Sequence, residues 1–247
     1  MIHQPHFFPW APYMMRVALS EVFVYLDDLF YRKGYYQNRT RLIDTHGRRL
    51  WLTLPIVGGQ HTPINQVKLA SNCNWFMKKA ARTIKHNYSS SGYFHQIWRP
   101  VNEFLMRIGA DKNYTLSSAN VESIGLIFSL LEIDPPTIIP SSRLNVRNLE
   151  RTKRILEICR LTGKRTFLTG WGAGVNPKVH DLQMLTDGGI EIKPLSRDNM
   201  MKIEPDFVQQ GISTLHWAFI KGPAHVKEQL LRFESVLDGV NANNESE

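Results

Sequence analysis

Cysteine is nearly absent from this chain: Cys73 and Cys159 are its two. They are too few and too isolated for a disulfide framework or a thiolate metal cage, so both read as small buried hydrophobes. Also missing is any apolar run approaching the roughly 20 residues that a membrane-spanning helix needs. No charged-then-apolar leader opens the sequence, so the expected setting is cytoplasmic, without membrane insertion. There is no GxSxG, HExxH or CxxC, no internal repeat and no heptad run. Serine-hydrolase, zincin, thiol-redox and solenoid readings all fall away.

What the chain has is hydrophobic content of 43% over 247 residues, enough for a sizeable core. It also has positive charge, with 30 Lys and Arg against 22 Asp and Glu, for a net charge of +8. That balance favours anionic partners such as phosphorylated cofactors, nucleotide-linked sugars or nucleic acid. The basic residues are scattered along the chain rather than run together, which ranks a small anionic substrate above nucleic acid.

The amino terminus is the most informative stretch. Gln4-Pro5 ends a very short strand, because Pro5 has no N–H to donate and biases Gln4 toward extended backbone. Ala11 to Leu19 reads as a helix with Pro12 in its first turn. Val22 to Leu26 is an unbroken β-prone run, the signature of a strand covered on both faces. Asp27 and Asp28 then stand at its carboxyl end, the edge where open α/β sheets bind ligands. Adjacent strand residues point to opposite faces, so at most one carboxylate faces a given pocket while the chain stays extended. The plain alternative is a turn-former or helix cap. His3, Gln4 and His6 lie beside the first strand's end, and strand, His-bearing turn and helix also resemble nucleotidyl-transferring α/β folds, at the level of fold alone.

Residues 36–57 predict a hairpin turning at Asp44-Thr45-His46-Gly47. Helices are expected over 74–86, 93–108, 120–131, 145–161 and 224–237, with Gly109 and Gly163 as stops. Thr166 to Thr169 reads as a buried strand entering the turn Gly170-Trp171-Gly172-Ala173-Gly174, and Ile190 and Ile192 mark another strand. The alternation predicts one α/β domain over 1–237: a mainly parallel Rossmann-like sheet flanked by helices, with a β-hairpin insertion at 35–70 and a helical portion at 74–132. Residues 238–247 are polar and read as a flexible tail.

Further polar residues follow the acidic pair. Tyr31, Lys33, Asn38 and Arg39 form one set, with Arg39 offering a planar fork for carboxylate or phosphate and Lys33 a point charge. The Gly170 turn could cradle a phosphate on backbone N–H groups, although its spacing matches neither a P-loop nor GxGxxG. Taken singly, each of the cations reads better as a surface charge on the hairpin, and the Gly170 turn is a weak signal on its own.

Gln4-Pro5, Phe8-Pro9-Trp10, Leu26-Asp27-Asp28, Tyr31, Lys33, Asn38-Arg39 and Trp51-Leu52-Thr53-Leu54-Pro55 together resemble the WbqC-like family. The similarity continues through Trp75, Tyr88, Ser142, Thr169-Gly170, Ala173, Gly189-Ile190, Phe207 and Ile212-Ser213. The resemblance implies association with O-antigen and other surface-polysaccharide biosynthesis, and a glycine or aminoacyl transferase acting on an amino sugar. On that reading Asp27, Asp28 or His6 removes a proton from the amine. Lys33 and Arg39 hold an anionic donor, either nucleotide-linked or on an acyl carrier protein, while Asn38 or the Thr169-Gly170 backbone meets an oxyanion; Gln4, Tyr31 and Ser213 complete the binding set. Where the family tends to read Ser-x-x-Asp-x-Leu, this chain has Ser213-Thr214-Leu215-His216-Trp217-Ala218. His216 then either replaces that Asp or marks a different substrate, such as one of a secondary-metabolite pathway. Two alternatives stay open: a nucleotidyl or phosphoryl transferase using Asp27 and Asp28 with Mg²⁺, and a non-catalytic protein binding RNA or a carrier protein.

Overall fold

A computed structural model describes residues 1–111, 113–171, 176–208 and 211–232. The expected tail at 238–247, the end of the last expected helix and the Gly172-Ala173-Gly174 part of the glycine-rich turn lie outside the described residues.

The chain runs β1 (Ile2–His3), α1 (Ala11–Ala18), β2 (Val22–Tyr25), β3 (Arg39–Ile43), β4 (Arg49–Thr53), β5 (Ile56–Val57) and β6 (Lys68–Leu69). Three long helices follow: α2 (Cys73–Tyr88), α3 (Phe94–Ala110) and α4 (Leu116–Leu131). The α/β pattern then resumes with β7 (Thr137–Pro140), α5 (Arg151–Thr162), β8 (Thr166–Gly170), α6 (Leu182–Asp187), β9 (Glu191–Leu195) and α7 (Arg197–Ile203). Helices α8 (Thr214–Lys221) and α9 (Pro223–Leu231) complete the order.

The class is mixed α/β, as expected. Strand β2 is central to a small parallel sheet, pairing with β1 through Ile2↔Val24 and with β7 through Phe23↔Ile138. A second parallel pair, β8 and β9, lies beside it, with β8 adjoining β1. The β3–β4 hairpin is a separate antiparallel unit, in register from Arg39↔Thr53 to Ile43↔Arg49. The unbroken apolar run of β2 is explained by its neighbours: Phe23 and Val24 are buried on opposite faces, each in a different hydrophobic cluster.

The turn between β1 and α1 is gripped from every side. Asn120 Nδ2 of α4 donates to the Pro5 carbonyl at 2.9 Å, and the Phe8 N–H donates to Ser123 Oγ at 2.9 Å. Thr40 of β3 and Ser213, the N-cap of α8, both donate to the Phe8 carbonyl at 2.8 Å. These bonds hold Phe8 at a φ of 39°, a conformation a bulky residue adopts only when its surroundings dictate it.

Several sequence boundaries move, each for a local reason. The hairpin's first strand starts at Arg39 rather than Tyr36, because Gln37 turns inward to accept from the Arg32 N–H and donate to Gln4. Helix α5 starts at Arg151 rather than Asn145: Asn145 is left-handed, with φ 53°, and the Glu150 carboxylate caps Thr152 and Lys153. Helix α4 starts at Leu116 rather than Asn120, because the Thr115 hydroxyl caps it by accepting from the Ser118 N–H. Gly109 does not stop α3 but lies inside it, where a β-carbon would come within 3.1 Å of the Met77 side chain on α2.

A candidate ligand cleft at the sheet edge

The carboxyl ends of β1, β2 and β8 open into a cleft of about 1050 Å³. Its far wall is the start of α5, and its mouth is formed by the loops that follow β2 and β7. Five arginines line it, Arg16, Arg32, Arg147, Arg151 and Arg154, against two carboxylates, Asp28 and Glu150. One of those carboxylates is already committed, since Glu150 caps α5. A low-dielectric cleft lined by one sign of charge concentrates ligands of the other sign.

The acidic pair divides as strand geometry requires. Asp27 turns inward and is saturated: Ser141 Oγ, Ser142 N and Ser142 Oγ donate to it at 3.2, 3.0 and 2.8 Å, and Asn65 Nδ2 at 3.2 Å. It ties the loop after β2 to the loop after β7. Asp28 lines the cleft and takes the Ser141 hydroxyl as a donor. This arrangement fits a divalent ion poorly. A metal would have to displace the donors on Asp27, and no set of three or more metal-ligating side chains gathers among the described residues.

Of His3 and His6, it is His3 that lines the cleft. Its Nδ1 lies 2.9 Å from the Gln4 carbonyl, so that nitrogen carries the proton and Nε2 is left as the acceptor. Burial, followed by the charge of Arg16, lowers its pKa to about 4. His6 sits behind the cleft, stacked on Tyr13 at 4.7 Å, with Nδ1 buried and unpartnered. Burial holds it well below the usual range for histidine, and His3 adds to this.

Among the other residues singled out, Gln4, Thr169 and Gly170 line the cleft. Tyr31 and Asn38 serve the base of the hairpin: Tyr31 donates to Asn38 Oδ1 at 2.9 Å, and Asn38 Nδ2 to the Leu54 carbonyl at 3.1 Å. Arg39 donates to the Gly34 carbonyl and stacks on Trp51 at 4.0 Å, while Lys33 is exposed. Ser213 grips the Phe8 turn, and His216 Nδ1 meets the Tyr88 hydroxyl at 2.8 Å. None of these six residues lines the cleft.

Sequence reasoning passed over Arg16, Arg154, His180 and the Trp10–Trp171 pair, whose rings meet edge to face at 5.6 Å. Arg154 is occupied in holding the loop before α5, donating to the carbonyls of Val146, Arg147 and Leu149. Arg16 has no such occupation. A signal was available for it: a lone arginine in an otherwise apolar helix, Ala11–Ala18, most of it buried.

The chain is thus a mixed α/β protein whose parallel strands end at an arginine-rich cleft, the edge at which open α/β sheets bind ligands. The chain matches the WbqC-like protein family over residues 4–227 and belongs to it. It is also 28% identical over 177 residues, 68% of this chain and 71% of the relative, to the uncharacterized protein Rv1507c of Mycobacterium tuberculosis. No solved structure matches the chain. Among the described residues, no helix is long and apolar enough to cross a membrane.

Proposed function

We propose that the protein is a transferase that moves an acyl or aminoacyl group from an anionic donor, nucleotide-linked or on a carrier protein, to the amine of a sugar or similar small molecule. The observation that carries this reading is the meeting of Asp28 and a neutral His3 in one arginine-lined cleft. Asp28 accepts an N–H hydrogen bond from the acceptor, which binds as the neutral amine with its nitrogen lone pair free. Once the amine nitrogen attacks the acyl carbonyl, a new C–N bond forms, His3 Nε2 takes the proton from nitrogen, and the donor's leaving group departs with its bonding electrons. The low pKa of His3 fits this order, because an anionic donor beside Arg16 offsets one of its two chief causes and brings the imidazole back toward a useful basicity. Polysaccharide or secondary-metabolite biosynthesis is the setting this chemistry suits.

The test is an amide-formation assay read by mass spectrometry, pairing amino sugars with acyl-nucleotide and acyl-carrier donors. With a productive pair, His3→Gln and Asp28→Asn are expected to lose roughly 100-fold or more in kcat. Full activity in both variants, or release of nucleotide with no amide formed, would sink the proposal.

A further inference from the structure

Arg16 is 7% exposed, in the wall of a cleft that opens at the ends of the parallel strands. Its side chain runs back along α1, as helical side chains do, and Nε donates to the Pro12 carbonyl at 3.3 Å. No carboxylate pairs with it among the described residues, and its terminal nitrogens make no hydrogen bond there. The Tyr13 ring lies 5.7 Å from its central carbon, and His3 and the Met1 ammonium are near enough for its charge to act on them. The guanidinium packs against Gly170, where a β-carbon would stand in ordinary contact with its central carbon at 3.4 Å.

A buried guanidinium without a counter-ion is destabilising, because its desolvation is not offset by an attractive charge. Burial accordingly lowers its pKa to about 10, still well above neutrality, so the charge persists. The neighbouring groups do not supply what is missing. Glu150 is engaged at the α5 cap and Asp28 with Ser141, while Arg151 and His180 add further donors on the facing wall. The missing partner is therefore a ligand. A planar fork with free terminal N–H groups, backed by further cations, suits the several oxygens and multiple charge of a phosphoryl group better than a single carboxylate.

We propose that Arg16, seated against Gly170 and faced by Arg151, is the core of a binding subsite for the phosphoryl or diphosphoryl end of a small-molecule ligand. This deepens the transferase reading by assigning the anionic end of its donor to a particular part of the cleft.

The test is binding, with turnover left out. The purified chain is titrated with pyrophosphate, ADP, inorganic phosphate and succinate at matched ionic strength, followed by calorimetry and thermal unfolding. Pyrophosphate or ADP at about 100 times its Kd is expected to raise the melting temperature by roughly 5–10 °C. Succinate is expected to do little. Arg16→Met is expected to weaken binding of the phosphorylated probes roughly thirtyfold or more. It should also leave the ligand-free melting temperature unchanged or raised, which loss of a merely structural arginine would not do. Arg16→Lys keeps the charge without the fork and is expected to bind at an intermediate level; it is the variant read should Arg16→Met not fold. Unchanged affinity in the variant, no binding of any phosphorylated probe, or succinate binding as tightly as pyrophosphate would each overturn the subsite. Binding lost while amide formation persists removes only the subsite. Binding intact without amide formation in any donor pair removes only the reaction.

Discussion

At the scale of single residues, the acidic pair shows how far a local pattern reaches. Alternation along a strand says that Asp27 and Asp28 part company, and they do. Which of them faces the cleft is decided by Ser141 and Ser142, more than 110 residues further on, and by Asn65. No local periodicity carries that information. Two of Asp27's four bonds come from hydroxyls and one from a backbone N–H, all directed at a carboxylate, and such charge-assisted bonds contribute more than neutral ones. Asp27→Asn puts an amide N–H where a donor already points. It is expected to lose about 2–4 kcal/mol of stability, measured by urea unfolding. Asp28→Asn, with one bond to Ser141, is expected to lose under about 1 kcal/mol while abolishing turnover. Equal stability losses in the two variants would contradict this division of labour. The same contrast separates His3 from His6, three residues apart at the end of one strand: one lines the cleft and the other packs against Tyr13.

At the scale of elements, segments with strong periodicity were legible, and those governed by caps and contacts less so. Strand β2 is a continuous apolar run and was visible as such, and β8 was visible as a buried strand entering a glycine turn. Helices α6, α7 and α8 are short, six to eight residues each, and announce themselves chiefly through Asp181, Ser196 and Ser213 at their N-caps. In the last case the serine read as part of a motif rather than as a helix start. Gly109 gave a misleading signal for a physical reason. A glycine near a helix end resembles a C-cap, but here it lets α3 approach α2 until its α-carbon faces Met77 and the Asn74 backbone. Helix propensity alone favours replacing a helical glycine by any residue but proline. Gly109→Val reverses that, since its β-carbon would stand 3.1 Å from Met77 Cβ and 3.2 Å from Asn74 Cα, leaving no space for the branch. The expected result is a loss of about 1–3 kcal/mol, seen as a lower urea midpoint with an unchanged m-value. A stability gain would mean that the two helices separate at no cost.

At the scale of the whole molecule, the cleft itself could not be read from any one segment. Its arginines come from α1, from the loops after β2 and β7, and from the first turn of α5, and only the topology of the parallel sheet gathers them. Scattered basic charge looked like a solvated face for this reason. The same folding encloses histidines in an interior that disfavours their charge. Burial lowers His3 and His216 to about 4 from an ordinary 6.5, with Arg16 contributing at His3. The unfolded chain therefore takes up protons between about 6.5 and 4 that the folded chain refuses, so stability contributed by these sites is complete above 6.5 and is lost as pH falls through that window. His216 isolates the effect, being 5% exposed, remote from the cleft and bonded to Tyr88 through Nδ1. His216→Gln keeps a hydrogen-bonding group near Tyr88 but cannot take up the proton. Its unfolding free energy is expected to fall less steeply than that of the native chain between pH 6.5 and 4 and to run parallel to it above pH 7. The difference expected across the window is on the order of 2–3 kcal/mol. Parallel curves throughout would show that His216 is charged as readily in the fold as in the unfolded chain. Acid sensitivity would then be sought at His3 and His6, where phosphate binding at Arg16 should shift it.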